Sequence, residues 1–296
     1  MGHPPRQIVS RIAPTPSGYL HIGNLYNFVL TWLHVRLKGG QLILRIDDLD
    51  QSRVRDRYLD DIFFALDWLG IECDRGPADV GDFKARYSQT FRIPEYHGTV
   101  EKIMQTAPTF YCQCSRKDIE RLSPERLYQG TCQHLGLPQI KGSTVLRLVT
   151  DEISKIRLHE QGELISEQSI HELMPFPVLI KKDGVPTYQV ASLTDDVNMG
   201  VNFLVRGKDL WTSSLTQTYL AKLIGYESFA KANFVHHELI EGSDQLKLSK
   251  SQNAPSYEKT GSNKKELISK VGKSLGASKS ADSLSELLEV VAGQRL

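Results

Sequence analysis

The spacing of apolar residues divides the chain into short strands alternating with amphipathic helices. "QIVSRIAP" (7–14) alternates in part and stops at Pro14, as a short strand does. After the turn "TPSGYLHIGN", the run "LYNFVLTWLHVRLK" (25–38) has apolar residues at 25, 28, 29, 32, 33 and 37. That is the spacing of one helix face, and Gly39-Gly40 closes it. "QLILRIDD" (41–48), rich in branched residues, reads as a second strand, and "VRDRYLDDIFFALDWLG" (54–70) as a second helix ended by Gly70. Strand, turn, helix, strand and helix in this order predict a right-handed βαβ unit and a parallel sheet.

The pattern breaks after residue 70: 71–105 reads as loops and one helix, and 106–175 as short irregular segments. A sheet-like pattern resumes over 176–207, where "KKDG" predicts a hairpin turn and "NFLVRG" (202–207) a buried strand. "SSLTQTYLAKLIG" (213–225) predicts a further helix with Ser213 or Ser214 as its N-cap. Residues 253–296 are polar and Lys/Ser-rich, with helical pattern at 263–275 and 281–292. The expected fold class is therefore α/β. One nucleotide-binding domain is expected in two sequence halves, 1–105 and 176–240, around a small insert at 106–175, with a tail over 241–296.

Composition is that of an ordinary soluble globular protein: 296 residues, 40% hydrophobic and 24% charged, enough for a core without staples. "MGHPPRQIVSRIAPTP" has no apolar segment of a signal peptide, and Arg6 breaks the myristoylation pattern. No apolar run approaches the roughly 20 residues that span a bilayer, so a cytoplasmic protein is expected. The net charge of +1 hides an asymmetry. Residues 245–279 carry eight lysines against Glu258 and Glu266, whereas 47–61 carry six aspartates against three arginines. The basic stretch reads either as a solvated helix face or as a local phosphate-binding strip.

Of four cysteines, Cys112, Cys114 and Cys132 fall close together, apart from Cys73. Cys-x-Cys is poorly placed to bridge to itself, so in a reducing compartment the three read as metal ligands before disulfides. A closed structural zinc site wants a fourth donor. On donor chemistry His134 is the better fourth ligand. Three reduced, unliganded thiols are the alternative.

The turn before the first helix poses a chemical question. A strand, a tight turn and a helix N-terminus make an anion site, because the first helical N–H groups are unpaired and the dipole favours negative charge. Gly18 and Gly23 let backbone approach a ligand, and His21 can donate to a phosphate. The bland reading is a turn with a surface histidine. Far along the chain, "QLKLSKSQN" (245–253) sets Lys247 and Lys250 around Ser249, a loop suited to charge developing on a leaving pyrophosphate.

Together the His-Ile-Gly turn and "KLSKS" resemble the two signatures of class I aminoacyl-tRNA synthetases. "RIAPTPSGYLHIGN", "GGQLILRIDDLDQSR" and "DDVNMGVNFLVRGKDL" are similar to the glutamyl-tRNA synthetase catalytic domain, a likeness running through residues 7–255. Asn24 stands where many members have His, Leu248 where Met is commoner, and Asp47 where Glu is usual. The resemblance implies activation of L-glutamate by ATP with Mg2+, then transfer of the acyl group to a tRNA, with His21, Lys247 and Lys250 catalytic. It implies ATP contacts from Thr15, Gly18, His21, Gly23, Asn24 and Lys250, and glutamate contacts from Arg11, Ala13, Thr15, Asp47, Tyr188 and Arg206. An arginine suits a carboxylate because it makes a planar two-point contact. The family pattern of Cys-x-Cys, Tyr, three residues and Cys implies structural Zn2+ on Cys112, Cys114, Tyr128 and Cys132.

After "KLSKS" only 45 residues remain, where full-length glutamyl-tRNA synthetases continue with a large anticodon-reading module. The shortened form with this insert, and "RGKDL" at 206–210, resemble the glutamyl-queuosine tRNA(Asp) synthetase group. That likeness implies transfer of glutamate to queuosine in the anticodon of tRNA(Asp). Charging of a tRNA 3′ end and a non-catalytic tRNA-binding module are the competing readings. A monomer is expected.

Overall fold

The computed structural model describes residues 7–123, 125, 127–151, 155–160, 163–239 and 263–294. The chain opens with β1 (Val9–Ile12), α1 (Ile22–Leu37), β2 (Gln41–Leu44) and α2 (Asp56–Leu69). A single helical turn, α3 (Val80–Asp82), leads through π-helical and 3-10 turns into α4 (Ile93–Thr106). Next come β3 (Thr109–Cys112), α5 (Arg116–Leu122), β4 (Val145–Leu148), β5 (Lys155–Glu160), β6 (Glu163–Ser169), α6 (Ile170–Leu173) and β7 (Val178–Ile180). The order continues with α7 (Tyr188–Asn198), β8 (Phe203–Gly207), α8 (Trp211–Leu223), α9 (Glu227–Ala230) and β9 (Asn233–His237). It closes with α10 (Lys264–Ser274) and α11 (Leu284–Gly293). The chain forms two compact units, one from Met1–Phe91, Phe203–Lys208 and His236–Leu296, the other from Arg92–Asn202 and Asp209–Val235.

In the first unit β1 and β2 pair in parallel, Val9 opposite Gln41 and Ile12 opposite Leu44, with α1 as the crossover. This is the βαβ unit that the apolar spacing predicts. Helix α1 is buried almost all round because it packs on β1, β2, β8, α10 and α11. Its Leu25, Val29, Leu33 and Val35 are wholly inaccessible, each such side chain stabilising by ~1.5–3 kcal/mol. The turn into β2 needs both glycines: Gly39 is left-handed (φ +59°), and a Cβ on Gly40 would lie 2.6 Å from the Ile8 carbonyl oxygen. Helices α10 and α11 follow the predicted pattern, capped by the side chains of Asn263 and Ser283. They bury Leu267, Ile268, Val271, Leu287 and Val291, so this part of the basic tail is docked through an apolar face.

In the second unit β3, β4 and β7 form an antiparallel sheet in that order, with Cys112 opposite Val145 and Phe110 opposite Arg147. Strands β5 and β6 make a hairpin. The "KKDG" turn forms as predicted, with Gly184 at φ +87° and the Lys181 N–H donating to the Val185 carbonyl at 2.9 Å. Two expectations are corrected. Residues 188–198 are helical where the pattern read sheet-like, because Val190, Leu193 and Val197 recur at helical spacing after Thr187. Helix α8 starts at Trp211 with no side-chain cap: Ser214 Oγ donates to the Leu210 carbonyl, and Ser213 Oγ accepts from Gln189 Nε2. Among the described residues no helix is long and apolar enough to cross a membrane.

Candidate active site

His21 is the N-cap of α1, and its side chain is part of the cap. Its Nδ1 accepts the Gly23 N–H at 3.1 Å, while Asn24 Oδ1 accepts the His21 N–H at 3.0 Å, a reciprocal capping box. An accepting Nδ1 places the imidazole proton on Nε2, so the exposed ring presents a donor. Gly23 is dictated by the same contact: a Cβ there would sit 3.0 Å from His21 Cε1 and 3.1 Å from Nδ1. A Cβ on Gly18 would meet no atom within 4 Å. No acidic residue occupies the first turn of α1, which leaves its positive end suited to an anion. The turn is held from behind by α2, where Asp61 Oδ2 accepts the Leu20 N–H at 2.8 Å. Burial raises the Asp61 carboxyl above its usual range, against the lowering effect of that N–H.

The acid and the arginines lie near or just past the carboxyl ends of strands of the first unit, where ligands bind in open α/β sheets. Arg11 lies near the end of β1 and Arg206 near the end of β8; both are buried, and β8 packs beside β1. Asp47 follows β2, its N–H donating to the Pro14 carbonyl at 2.9 Å, which sets it alongside Ala13 and Thr15. Its carboxylate is gripped by the buried Arg45 guanidinium, Nε to Oδ1 at 2.6 Å and Nη2 to Oδ2 at 3.1 Å. Ala13 is half-buried and Thr15 exposed. Tyr188 belongs to the second unit, where it opens α7 and is 38% exposed. Lys247 and Lys250 lie outside the described residues.

Several buried polar groups carried no sequence motif. The acidic stretch after β2 is solvated only in part: Asp50, Asp56 and Asp60 are exposed, whereas the buried Asp48 accepts from Ser88 Oγ at 2.6 Å and from the Gln89 N–H at 2.7 Å. His236, on β9, is buried, and burial pushes its imidazole down to about 4, helped by the neighbouring charges of Arg206, His237 and Lys208. Asp195 on α7 is fully buried and takes Arg92 Nε at 2.7 Å, Arg92 Nη2 at 3.0 Å and the Tyr96 hydroxyl at 2.9 Å. Charged residues inside an apolar run, as in "LTDDVN" and "LRIDD", are the only signals that mark such buried partners.

The three cysteines meet at the end of β3. Their sulfurs lie within 4.8 Å of one another, with Cys114 and Cys132 Sγ 3.6 Å apart. Tetrahedral zinc with Zn–S bonds of ~2.3 Å requires sulfurs ~3.8 Å apart, so the triad fits a zinc ion. Tyr128 stands at the same place, buried, its hydroxyl accepting the Cys132 N–H at 2.7 Å and hydrogen-bonded to the Cys112 and Cys132 thiols. Burial and the neighbouring sulfurs push Cys114 up to about 12. Burial raises Cys132 too, but hydrogen bonds from Tyr128, the Gln113 backbone and the other thiols outweigh it and hold this thiol below its ordinary value. His134 is exposed, and among the described residues the group of metal-ligating side chains consists of the three cysteines without it.

Comparison with known proteins places this geometry. The family of class I tRNA synthetases (E and Q), catalytic domain, matches residues 7–290. The chain is 31% identical to the glutamate–tRNA ligase of Dehalococcoides mccartyi (strain CBDB1) over 254 residues, 83% of this chain and 51% of that relative. It is 33% identical to the glutamate–tRNA ligase of Anaeromyxobacter sp. (strain Fw109-5) over 254 residues, 83% of this chain and 52% of the relative. The chain thus spans about half the length of the curated relatives it matches. Among solved structures, glutamate-tRNA synthetase from Elizabethkingia anophelis shares the fold, with a TM-score of 0.74 at 24% identity over 96% of this chain and 65% of that one. With a parallel βαβ core, a histidine-capped helix behind its first strand and a family match through almost every described residue, the chain belongs to the class I tRNA synthetases of the E and Q type, by their catalytic domain.

Proposed function

We propose that this protein activates L-glutamate with ATP and transfers the glutamyl group to queuosine in the anticodon of tRNA(Asp). The observation that carries the amino-acid assignment is the pair of buried arginines, Arg11 and Arg206, on the neighbouring strands β1 and β8. Two buried cations at the carboxyl ends of the sheet suit a substrate with a side-chain carboxylate, and suit the neutral amide of glutamine poorly. Asp47, fixed by Arg45, meets the α-amino group, and Ala13 and Thr15 complete this side of the pocket. The attacking group is the substrate's own carboxylate, so no protein nucleophile is needed. Catalysis is positioning and charge stabilisation. His21 donates from Nε2 to the reacting phosphates beside the positive end of α1, with Gly18, Gly23 and Asn24 shaping the turn. Lys247 and Lys250 hold the leaving pyrophosphate, and Mg2+ accompanies ATP without a dedicated protein cage.

Zn2+ on Cys112, Cys114, Tyr128 and Cys132 staples the segment between β3 and β4, where short strands bury little core of their own. The choice of tRNA rests on the likeness of this Cys-x-Cys/Tyr/Cys segment and of "RGKDL" to the glutamyl-queuosine group. Labelled glutamate, ATP and tRNA(Asp) with and without queuosine test it, the tRNA being cleaved after transfer to locate the label. Label confined to the anticodon loop of queuosine-bearing tRNA is the expected result. Label at the 3′ end identifies a charging enzyme instead, and absence of glutamate-dependent pyrophosphate exchange identifies a non-catalytic tRNA-binding module.

A further inference from the structure

Arg147 occupies a place that packing alone does not explain. It sits on β4 and is only 7% exposed, with its guanidinium carbon 4.0 Å from the centroid of the Tyr128 ring. Its Nη1 donates to the Phe176 carbonyl at 2.8 Å, while its buried Nε has no hydrogen-bond partner. Among the described residues no carboxylate pairs with it. Around the same tyrosine ring, Phe110 stacks at 6.3 Å and Phe176 meets it edge-on at 5.7 Å. The sheet register explains the convergence, since Phe110 and Arg147 are direct partners across β3 and β4, two residues from Cys112. A buried guanidinium in an aromatic enclosure is costly unless a negative charge faces it, and a methionine of similar length fills the same space at no such cost.

The missing charge is supplied by the thiol cluster itself. Three thiolates outweigh a divalent cation by one negative charge, and a phenolate oxygen adds a second, all in surroundings where water screens little. We infer that Arg147 is the counter-cation and positioning residue of the Cys112–Cys114–Cys132 site, holding the Tyr128 ring so that its oxygen faces the metal and offsetting the cluster's surplus negative charge. The inference rests on the proposed reading of Tyr128 as fourth ligand. Phe110 and Phe176 keep the pair dry, which makes the attraction between guanidinium and cluster stronger than it is in water.

Zinc content and zinc affinity by chelator competition test this in the full-length protein, with helical content checked by circular dichroism. Arg147→Gln, neutral and of similar length, is expected to weaken zinc at least tenfold. Arg147→Lys, which keeps the charge, is expected to stay within about threefold of wild type. In a Tyr128→Phe background the Arg147→Gln loss should shrink without vanishing, because the positioning of the phenolate is gone while three thiolates still carry one surplus negative charge. Equal loss in the Gln and Lys variants, or wild-type affinity in Arg147→Gln, overturns the inference. Losses that simply add in the double variant overturn it as well. If instead Tyr128→Phe binds zinc as wild type does while His134→Ala does not, the reading of Tyr128 as ligand fails, and the inference with it. If Tyr128→Phe loses zinc and Arg147→Gln does not, only the inference fails.

Discussion

The Leu20 N–H donates to Asp61 Oδ2 at 2.8 Å, tying the residue before His21 to the second helix. The bond spans 41 positions of sequence and fixes where the first helix begins. Tyr19 adds to the anchor by packing edge-on against Tyr58 of the same helix at 5.1 Å, with Arg57 stacked on Tyr58. Asp61 therefore positions the turn that carries His21 through the backbone of Leu20.

Asp61→Ala leaves the Leu20 N–H without its acceptor, a loss of ~1–3 kcal/mol. Because the turn carries His21, pyrophosphate exchange should fall in kcat by roughly tenfold or more, with the KM for glutamate little changed. Asp61→Asn keeps an acceptor oxygen and should retain most activity. The pH dependence separates the two effects. Burial raises the Asp61 carboxyl in the folded state, so the folded protein holds a proton that the unfolded chain has released, and this residue costs stability as pH rises. Asn carries no such cost. Denaturation of Asp61→Asn should show its greatest advantage over wild type near neutral pH, shrinking as pH falls; a pH-independent difference contradicts the assignment.

On the proposed reading, Arg206→Ala removes a buried two-point partner for the substrate carboxylate. An interaction of that kind contributes ~3 kcal/mol, so kcat/KM for glutamate should fall by about 100-fold or more while the KM for ATP stays within about threefold. Arg206→Lys should rescue little, because an ammonium offers no planar fork. Glutamate-dependent pyrophosphate exchange at fixed ATP measures this. Unchanged glutamate use removes Arg206 from the pocket.

His236 makes the same region sensitive to acid. Its imidazole is pushed down to about 4 from an ordinary value of 6.5, by burial first and then by Arg206, His237 and Lys208. Below about pH 6.5 the unfolded chain takes up a proton that the folded protein refuses. Stability present above that pH is therefore lost as pH falls toward 4, by up to ~3 kcal/mol. Urea unfolding at pH 7 and pH 5 should show a steeper loss in wild type than in His236→Gln. Arg206→Ala should flatten the slope as well, since it removes one of the charges that repel the proton.

The parallel βαβ start, the histidine turn, the two tail helices and the close trio of cysteines were legible because each is local. They follow from apolar spacing, glycines at turns, or donors a few residues apart. What escaped was long-range. Nothing in "LRIDD" tells that Asp48 reaches Ser88, because that pairing depends on the tertiary path. Residues 188–198 misled for a related reason: branched and aromatic residues after a hairpin look like a strand, and tertiary packing selects the helix that buries Val190, Leu193 and Asp195 together. Arg147 gave no signal at all, since a lone arginine in "STVLRLV" reads as the outward residue of a strand.

Asp195 yields the sharpest test of the second unit. Its carboxylate is fully buried and takes a two-point contact from Arg92, the residue before α4, with the Tyr96 hydroxyl of α4 as a further donor. Buried pairs contribute little net stability when intact, since desolvation offsets their attraction, but breaking one strands a charge. Arg92→Met should therefore destabilise by ~3–5 kcal/mol, whereas Arg92→Met with Asp195→Leu should recover a good part of that loss by removing both charges. Recovery will be incomplete, because the Tyr96 hydroxyl then lacks its carboxylate. Thermal or urea unfolding of the two variants decides it: if the double variant is as unstable as Arg92→Met alone, the penalty comes from lost packing between α4 and α7 and not from an uncompensated carboxylate.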